Sequence, residues 1–235
     1  MQTSERENIL GRIREALKLT APVPGEHTGQ GNAGPQSVHG IKELESTFSN
    51  WLPLVGDAFE GQLALFQKNS TELKTDFRFF ENTEALLEAL AEIAREEGWK
   101  KIGIHKGDLV DLASGKLALP KIDTSSGYDV RELESCDAGI SECDALVAQT
   151  GSVLVTARSA GGRALSVLPP HHVVLARRTQ LVADLPAAFA RLKEKYQGNY
   201  PSMISFITGP SRTGDIERIL VLGAHGPKKL TVLCV

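Results

Sequence analysis

Between Asn82 and His105 the chain changes period within a few residues. Asn82-Thr83 is suited to cap a helix start. Leu86, Leu87, Leu90, Ile93 and Ala94 then recur at helical spacing on one face, and Gly98 is placed to close the helix. Lys101-Ile102-Gly103-Ile104-His105 follows at once as a short strand. A helix with one apolar face, joined directly to a strand, has to bury that face on a sheet. The feature therefore commits the chain to an α/β fold.

The second half continues in short apolar runs. Ala145-Leu146-Val147-Ala148 leads into a Thr150-Gly151-Ser152 turn, and Val153-Leu154-Val155 extends as the next strand. Ala157 to Gly162 is turn-like. Ala164-Leu165-Ser166-Val167-Leu168 and Val173-Val174-Leu175 are two further expected strands, split by Pro169-Pro170-His171-His172. Such closely spaced strands suggest a meander, so a mixed rather than wholly parallel sheet is expected. Asp184 can cap a helix carrying Phe189, Leu192 and Tyr196, with Gly198 ending it. Met203 to Ile207 and Leu230 to Val235 are the last expected strands. Trp51 to Lys68 is ambiguous, and Asp123 to Gly139 reads as polar and turn-rich.

The N-terminal part is organised differently. Ser4-Glu5-Arg6-Glu7 is a capping box, and Ile9, Leu10, Ile13, Ala16 and Leu17 follow with helical spacing. Residues 21–40 contain five Gly and three Pro, the composition of a flexible linker. A second helix is expected over 38–50. The expected organisation is a helical arm over 1–20, a linker over 21–40 and an α/β domain over 41–235. The arm's apolar face needs a surface: its own domain, a second copy in a homo-oligomer, or another protein. The length of the linker favours a subunit or partner contact.

The 235 residues carry a net charge of -3, so no basic field invites nucleic acid or an anionic membrane. No apolar run reaches the roughly 20 residues of a membrane-spanning helix, and the N-terminus lacks the plan of a signal peptide, which points to the cytoplasm. Cys136, Cys143 and Cys234 are odd in number and loosely spaced, as expected for free thiols rather than a disulfide framework or a metal site.

Chemistry is densest at Thr208-Gly209-Pro210-Ser211-Arg212-Thr213-Gly214-Asp215-Ile216-Glu217. Thr208, Ser211 and Thr213 supply hydroxyls, Arg212 supplies a planar fork, and Gly209 and Gly214 let backbone N–H groups approach a ligand. A strand leading into such a turn, with a helix start at Asp215, is an anion cradle. The competing reading is a turn fixed by pairing of Asp215 and Glu217 with Arg212 or Arg218. Thr150-Gly151-Ser152 is a second hydroxyl-rich turn, and it gains weight only if the fold sets it beside the first. His225, between Gly223 and Gly226, suits general acid–base work or a loop-fixing hydrogen bond. His171 and His172 are adjacent on an extended segment and should face opposite ways, which argues against a shared metal. Dinucleotide, Walker, nucleophile-elbow and zinc-protease motifs do not occur.

Four motifs occur in order: Cys143-Asp144-Ala145-Leu146-Val147-Ala148-Gln149-Thr150-Gly151-Ser152, Leu168-Pro169-Pro170-His171-His172, Thr208 to Glu217, and Gly223-Ala224-His225-Gly226-Pro227. Together they resemble the LUD domain of the lactate-utilisation protein C family. The resemblance implies a fold like that of sugar-phosphate isomerases and CoA transferases, a three-layer α/β/α core. It also implies a place beside two iron–sulfur subunits in oxidation of L-lactate to pyruvate, with no cofactor in this chain. The family commonly has Glu before the Thr-Gly of the first motif, where this chain has Gln149. An amide there cannot act as nucleophile or base, although it can hydrogen-bond a carboxylate.

The expected site therefore comprises Gln149, Thr150, Gly151, Ser152, Thr208, Gly209, Ser211, Arg212, Thr213 and Gly226 around a small carboxylate or phosphate. His225, Asp215 and Glu217 are the candidate acid–base groups. Two other functions stay open on the same residues: a stand-alone isomerase or acyl/CoA-transferase-like enzyme, and a ligand-free assembly factor docking through the arm.

Overall fold

A computed structural model describes residues 55–213, 221–222 and 226–235. The expected arm, the linker, the helix over 38–50 and the residues Asp215, Glu217 and His225 lie outside this range. Five helices are described: α1 (Phe59–Glu72), α2 (Thr83–Glu96), α3 (Asp108–Leu117), α4 (Val130–Glu134) and α5 (Leu185–Tyr196). The strands are β1 (Asp76–Phe79), β2 (Ile102–Ile104), β3 (Lys121–Asp123), β4 (Ala138–Glu142), β5 (Ala145–Val147), β6 (Ser152–Thr156), β7 (His171–Ala176), β8 (Leu181–Val182), β9 (Ile204–Ile207), β10 (Arg212–Thr213), β11 (Val221–Leu222) and β12 (Lys229–Cys234).

Local signals place several of these elements. Asn82 accepts a hydrogen bond from the Ala85 N–H at 2.9 Å, and Asp184 accepts from Ala187 N–H at 2.8 Å, so both expected caps are made. Helix α5 ends with Gln197 in the left-handed region at φ 46°, and Gly198 follows at φ 90°.

Parallel and antiparallel pairings are both present, divided between two main sheets. Six parallel strands form the larger sheet in the order β1-β12-β7-β4-β2-β3. The smaller sheet has the order β8-β5-β6-β9, with β5-β6 and β6-β9 antiparallel and β5-β8 parallel. A short ribbon, β10-β11, stands apart. Strands β7 and β12 lie inside the large sheet and are buried on both faces, which explains their nearly continuous apolar runs.

Helices flank this core on both sides. The apolar stripe of α2, with Leu86 and Leu90, joins α3 in covering Ile140, Val173, Leu175 and Leu233 on one face of the large sheet. On the other face Val174, Ala176 and Val232 meet Phe66 of α1 and Leu146, Val153 and Val155 of the small sheet. Helix α5 then covers the far side of the small sheet, placing Ala188, Leu192 and Tyr196 on Ala145, Val147 and Leu154. The small sheet is thus an extra layer between the large sheet and α5.

Three sequence expectations differ from the structure. Ala164–Leu168 is a turn, not a strand: Val167 and Leu168 N–H groups both bond the Ala164 carbonyl, and Leu165 is buried against Leu133 and Cys136. The ambiguous Trp51–Lys68 segment includes the first ten residues of α1. The stretch read as turn-rich up to Gly139 contains α4 and the start of β4, a strand within the parallel sheet. Ala138, Gly139 and Ser141 give β4 too little apolar bulk to announce it. The three cysteines are free and buried.

Phe66 is fully buried and meets Phe77 edge-on at 4.8 Å between ring centroids, tying α1 to the edge of the large sheet. Replacing Phe66 with Ala should lower the unfolding free energy by about 3–5 kcal/mol, read from urea denaturation.

Candidate functional site

The turn between β5 and β6 buttresses the site from the side. Gly151 has φ 64°, and a Cβ there would lie 2.6 Å from the Ser70 nitrogen and 2.8 Å from the Asn69 carbonyl carbon. Only glycine lets this turn sit against α1. Asn69 completes the contact, donating its amide to the carbonyls of Ala148 and Gln149 at 2.9 Å each. Gln149 also donates its backbone N–H to the Ala183 carbonyl at 2.9 Å. The turn is therefore rigidly seated. The Thr150 hydroxyl oxygen is buried, without a hydrogen-bond partner among the described residues.

The loop after β9 forms a wall of the site. Ser152 and Thr208 share a hydrogen bond between their hydroxyls at 2.8 Å, although they are 56 residues apart. The two hydroxyl-rich turns of the sequence are thus adjacent in space. Gly209, at φ 85°, rests on the Leu73 carbonyl, and the Arg212 guanidinium donates to that same oxygen. Ser211 N–H donates to the Pro227 carbonyl at 2.9 Å, bringing the third expected segment, Gly226-Pro227, alongside. Thr213 pairs with Val221 in the β10-β11 ribbon.

A cavity of about 250 Å³ lies beside this loop, and Gln149, Thr150, Gly151 and Ser152 of the expected set are not among its lining residues. It opens near the amino-terminal ends of β7 and β12, where His172 and Leu230 contribute, and is lined further by Ser205, Thr208, Ser211 and Gly226. Thr208, Gly209, Ser211 and Gly226 of the expected set line it; Arg212 instead braces the loop on Leu73. A small chamber with hydroxyls set into a largely apolar wall can orient a small polar molecule.

The sequence reading missed His172 as a lining residue. As expected, the two adjacent histidines face opposite sides of β7. His171 donates through Nδ1 to Glu97 at 3.0 Å and meets the Thr231 hydroxyl at Nε2 at 2.8 Å. His172 meets Ser141 at Nε2 at 2.8 Å, and its Nδ1 is buried without a partner among the described residues. Complete burial lowers the His172 pKa to about 3, so the ring is neutral at ordinary pH. Burial also lowers His171, with the Glu97 carboxylate opposing it.

The same architecture is found in known proteins. The LUD domain matches residues 63–235. This chain belongs to the LUD domain family. Among its relatives is lactate utilization protein C of Shouchella clausii, 26% identical over 218 residues, 89% of this chain and 95% of that protein. Lactate utilization protein C of Geobacillus kaustophilus is 36% identical over 104 residues, and that of Geobacillus sp. strain WCH70 is 34% identical over 116 residues. These two alignments span 43% and 48% of each chain, so the chain covers about half the length of those relatives. A DUF162 family protein from Deinococcus radiodurans shares the fold, with a TM-score of 0.59 and 18% identity over 78% of this chain and 99% of that one. In this LUD domain no helix among the described residues is long and apolar enough to cross a membrane.

The histidine chemistry has a measurable consequence. The His172 pKa is lower in the folded than in the unfolded chain, so below pH ~6.5 the unfolded state binds more protons. Its contribution is complete above that pH and is lost on acidification towards about 3. His172→Asn should flatten the stability profile between pH 6 and 4 by up to about 1.4 kcal/mol per pH unit, measured by chemical denaturation across that range.

Proposed function

We propose that this chain is a lactate-utilisation protein: the subunit without a cluster in an iron–sulfur system that oxidises L-lactate to pyruvate. In this reading it holds a small carboxylate or phosphate ligand in the cavity beside the Ser152–Thr208 pair. The relatives named lactate utilization protein C support the biological role. The observation behind the ligand site is the hydrogen bond between Ser152 and Thr208. It braces the Thr208 loop, whose residues line the cavity, against the rigid Thr150-Gly151-Ser152 turn, which does not line it.

A carboxylate in the cavity would be held by the hydroxyls of Thr208 and Ser211 and the backbone N–H of Gly226, the Ser211 N–H being taken by the Pro227 carbonyl. Several convergent donors of this kind can orient an anion without a paired cation beside it. His172 adds a neutral imidazole near the same space. Gln149 supplies an amide where covalent transfer would call for a carboxylate, which fits binding better than acyl transfer. Redox chemistry then belongs to the iron–sulfur partners. His225, Asp215 and Glu217 remain proposed acid–base groups, and Arg212 a proposed anion contact released from Leu73.

Ligand protection tests this reading directly. L-lactate or pyruvate at about 100 times its dissociation constant should stabilise the full-length protein by about 2.7 kcal/mol, seen as a rise in the thermal midpoint. The double variant Thr208→Ala, Ser211→Ala should stay folded and lose that rise. No protection of the wild-type protein by L-lactate, pyruvate or inorganic phosphate would reject the ligand site. Turnover of a substrate by the isolated chain would instead favour the stand-alone enzyme.

A further inference from the structure

A second crevice lies at the opposite ends of the parallel strands. After β2 the chain passes through α3 to β3, its outer neighbour, and then returns past β2 to β4 on the other side. The carboxyl ends of β2 and β4 therefore flank a topological switch point, where open α/β sheets characteristically bind ligands. His105 directly follows β2 and Glu142 ends β4. Both line a cavity of about 380 Å³, together with Lys106, Arg158, Ser159 and Lys195.

This crevice is held open by a specific set of bonds. His105 donates from Nδ1 to the Lys106 carbonyl at 2.7 Å and accepts the Glu142 backbone N–H at Nε2 at 3.1 Å. That pair of bonds ties the ends of β2 and β4 and leaves the imidazole neutral. The Glu142 carboxylate accepts the Leu109 N–H at 2.8 Å, so it is engaged at the start of α3. The turn after β6 is clamped on top. Gly161, at φ 62°, lies where a Cβ would come within 2.3 Å of His105 Cβ, and Thr124 donates its hydroxyl to the Gly161 carbonyl at 2.6 Å. The clamp fixes Arg158 and Ser159 over the crevice.

Three cations converge there from separate elements. Lys195 on α5 bonds the buried Asp144 carboxylate at 2.6 Å, and Tyr196 donates to the same oxygen at 2.8 Å. Asp144 has side-chain exposure of 1%, while Lys195 keeps half of its side chain exposed. Arg158 lies over the Tyr196 ring at 5.3 Å from its centroid. Neither Arg158 nor Lys106 forms an ion pair within 4 Å among the described residues; Lys106 senses Asp123 only at longer range. Two exposed cations lining one cavity without an ion-pair partner among the described residues leave it with positive charge open to an anion.

We propose that this crevice is a second ligand site, distinct from the Ser152–Thr208 cavity, and that it takes a small metabolite bearing a phosphate group. Lys106 and Arg158 provide the unpaired charge, while Lys195, already paired with Asp144, and the Glu142 carboxylate, engaged by the Leu109 N–H, border it. Two unpaired cations suit a multiply charged head group, whereas one carboxylate would leave part of that charge unused. A volume of about 380 Å³ leaves room for a small organic body beside it.

Isothermal titration of the full-length protein with inorganic pyrophosphate at low ionic strength tests the site. Saturable binding should weaken at least tenfold in Lys106→Ala and in Arg158→Ala, and further in the double variant. Both side chains are exposed, so thermal midpoints should move by no more than about 2 °C. If Arg158→Ala unfolds, Lys106→Gln and Arg158→Gln serve in its place. The Thr208→Ala, Ser211→Ala variant should bind pyrophosphate as the wild type does. Absence of saturable binding to the folded wild type, undiminished binding by the Lys106 and Arg158 double variant, or loss of binding only in the Thr208, Ser211 variant would each overturn the proposal. The lactate-protection result does not depend on any of these outcomes.

Discussion

Strand β12 pairs in parallel with β1 on one side and β7 on the other, and most of the architecture depends on that double pairing. Residues 229–234 bond to 171–176 and to 76–79, so the sheet is joined across more than 150 positions of sequence. Such pairings must overcome loop-closure entropy before they are rewarded. They are stabilised by the alternate residues of β12: Leu233 enters the core under α2, and Leu230 and Val232 enter the core shared with the small sheet. One strand therefore links two hydrophobic cores.

The two candidate sites follow from the ends of these same strands. At the amino ends, His172 and Leu230 border the cavity beside the Ser152–Thr208 pair. At the carboxyl ends, β2 and β4 separate around His105 and Glu142. The first cavity is built from hydroxyls, glycines and a neutral imidazole, and the second from two unpaired cations, the Lys195 ammonium paired with Asp144 and the Glu142 carboxylate beside a clamped turn. A monocarboxylate suits the first environment and a multiply charged group the second. The two ends could thus hold different molecules in one LUD domain, with the small sheet connecting them through β6: Ser152 at its start touches Thr208, and Arg158 lies just beyond its end.

The turn chemistry around the first candidate site was legible in the residues. Thr150-Gly151-Ser152 reads as a turn because glycine and hydroxyls sit between apolar runs, and the structure shows why the glycine is needed. The adjacency of that turn to Thr208 was not legible, because antiparallel pairing of β6 with β9 creates it. The role of Arg212 as a brace on Leu73 was equally hidden, since residue type alone does not separate a fork aimed at a ligand from one aimed at a carbonyl. His172 as a wall of the cavity follows only from which face of β7 turns toward the small sheet.

The second site had no sequence signature at all. Lys106, Arg158 and Lys195 look like ordinary surface charges, separated by about 50 and 40 residues, and Asp144 looks like the end of a strand motif. By itself the sequence determined the elements governed by near neighbours: helix periods, the Asn82 and Asp184 caps, the tight turn at Gly151 and the α/β class. Only the tertiary structure decided that Ala164–Leu168 turns instead of pairing, that β4 joins the parallel sheet despite its small residues, and that the strands divide between two sheets. The physical reason is range. Caps and turns are satisfied within a few residues, whereas strand partners, buried charges and converging cations are set by contacts that exist only once distant segments have packed.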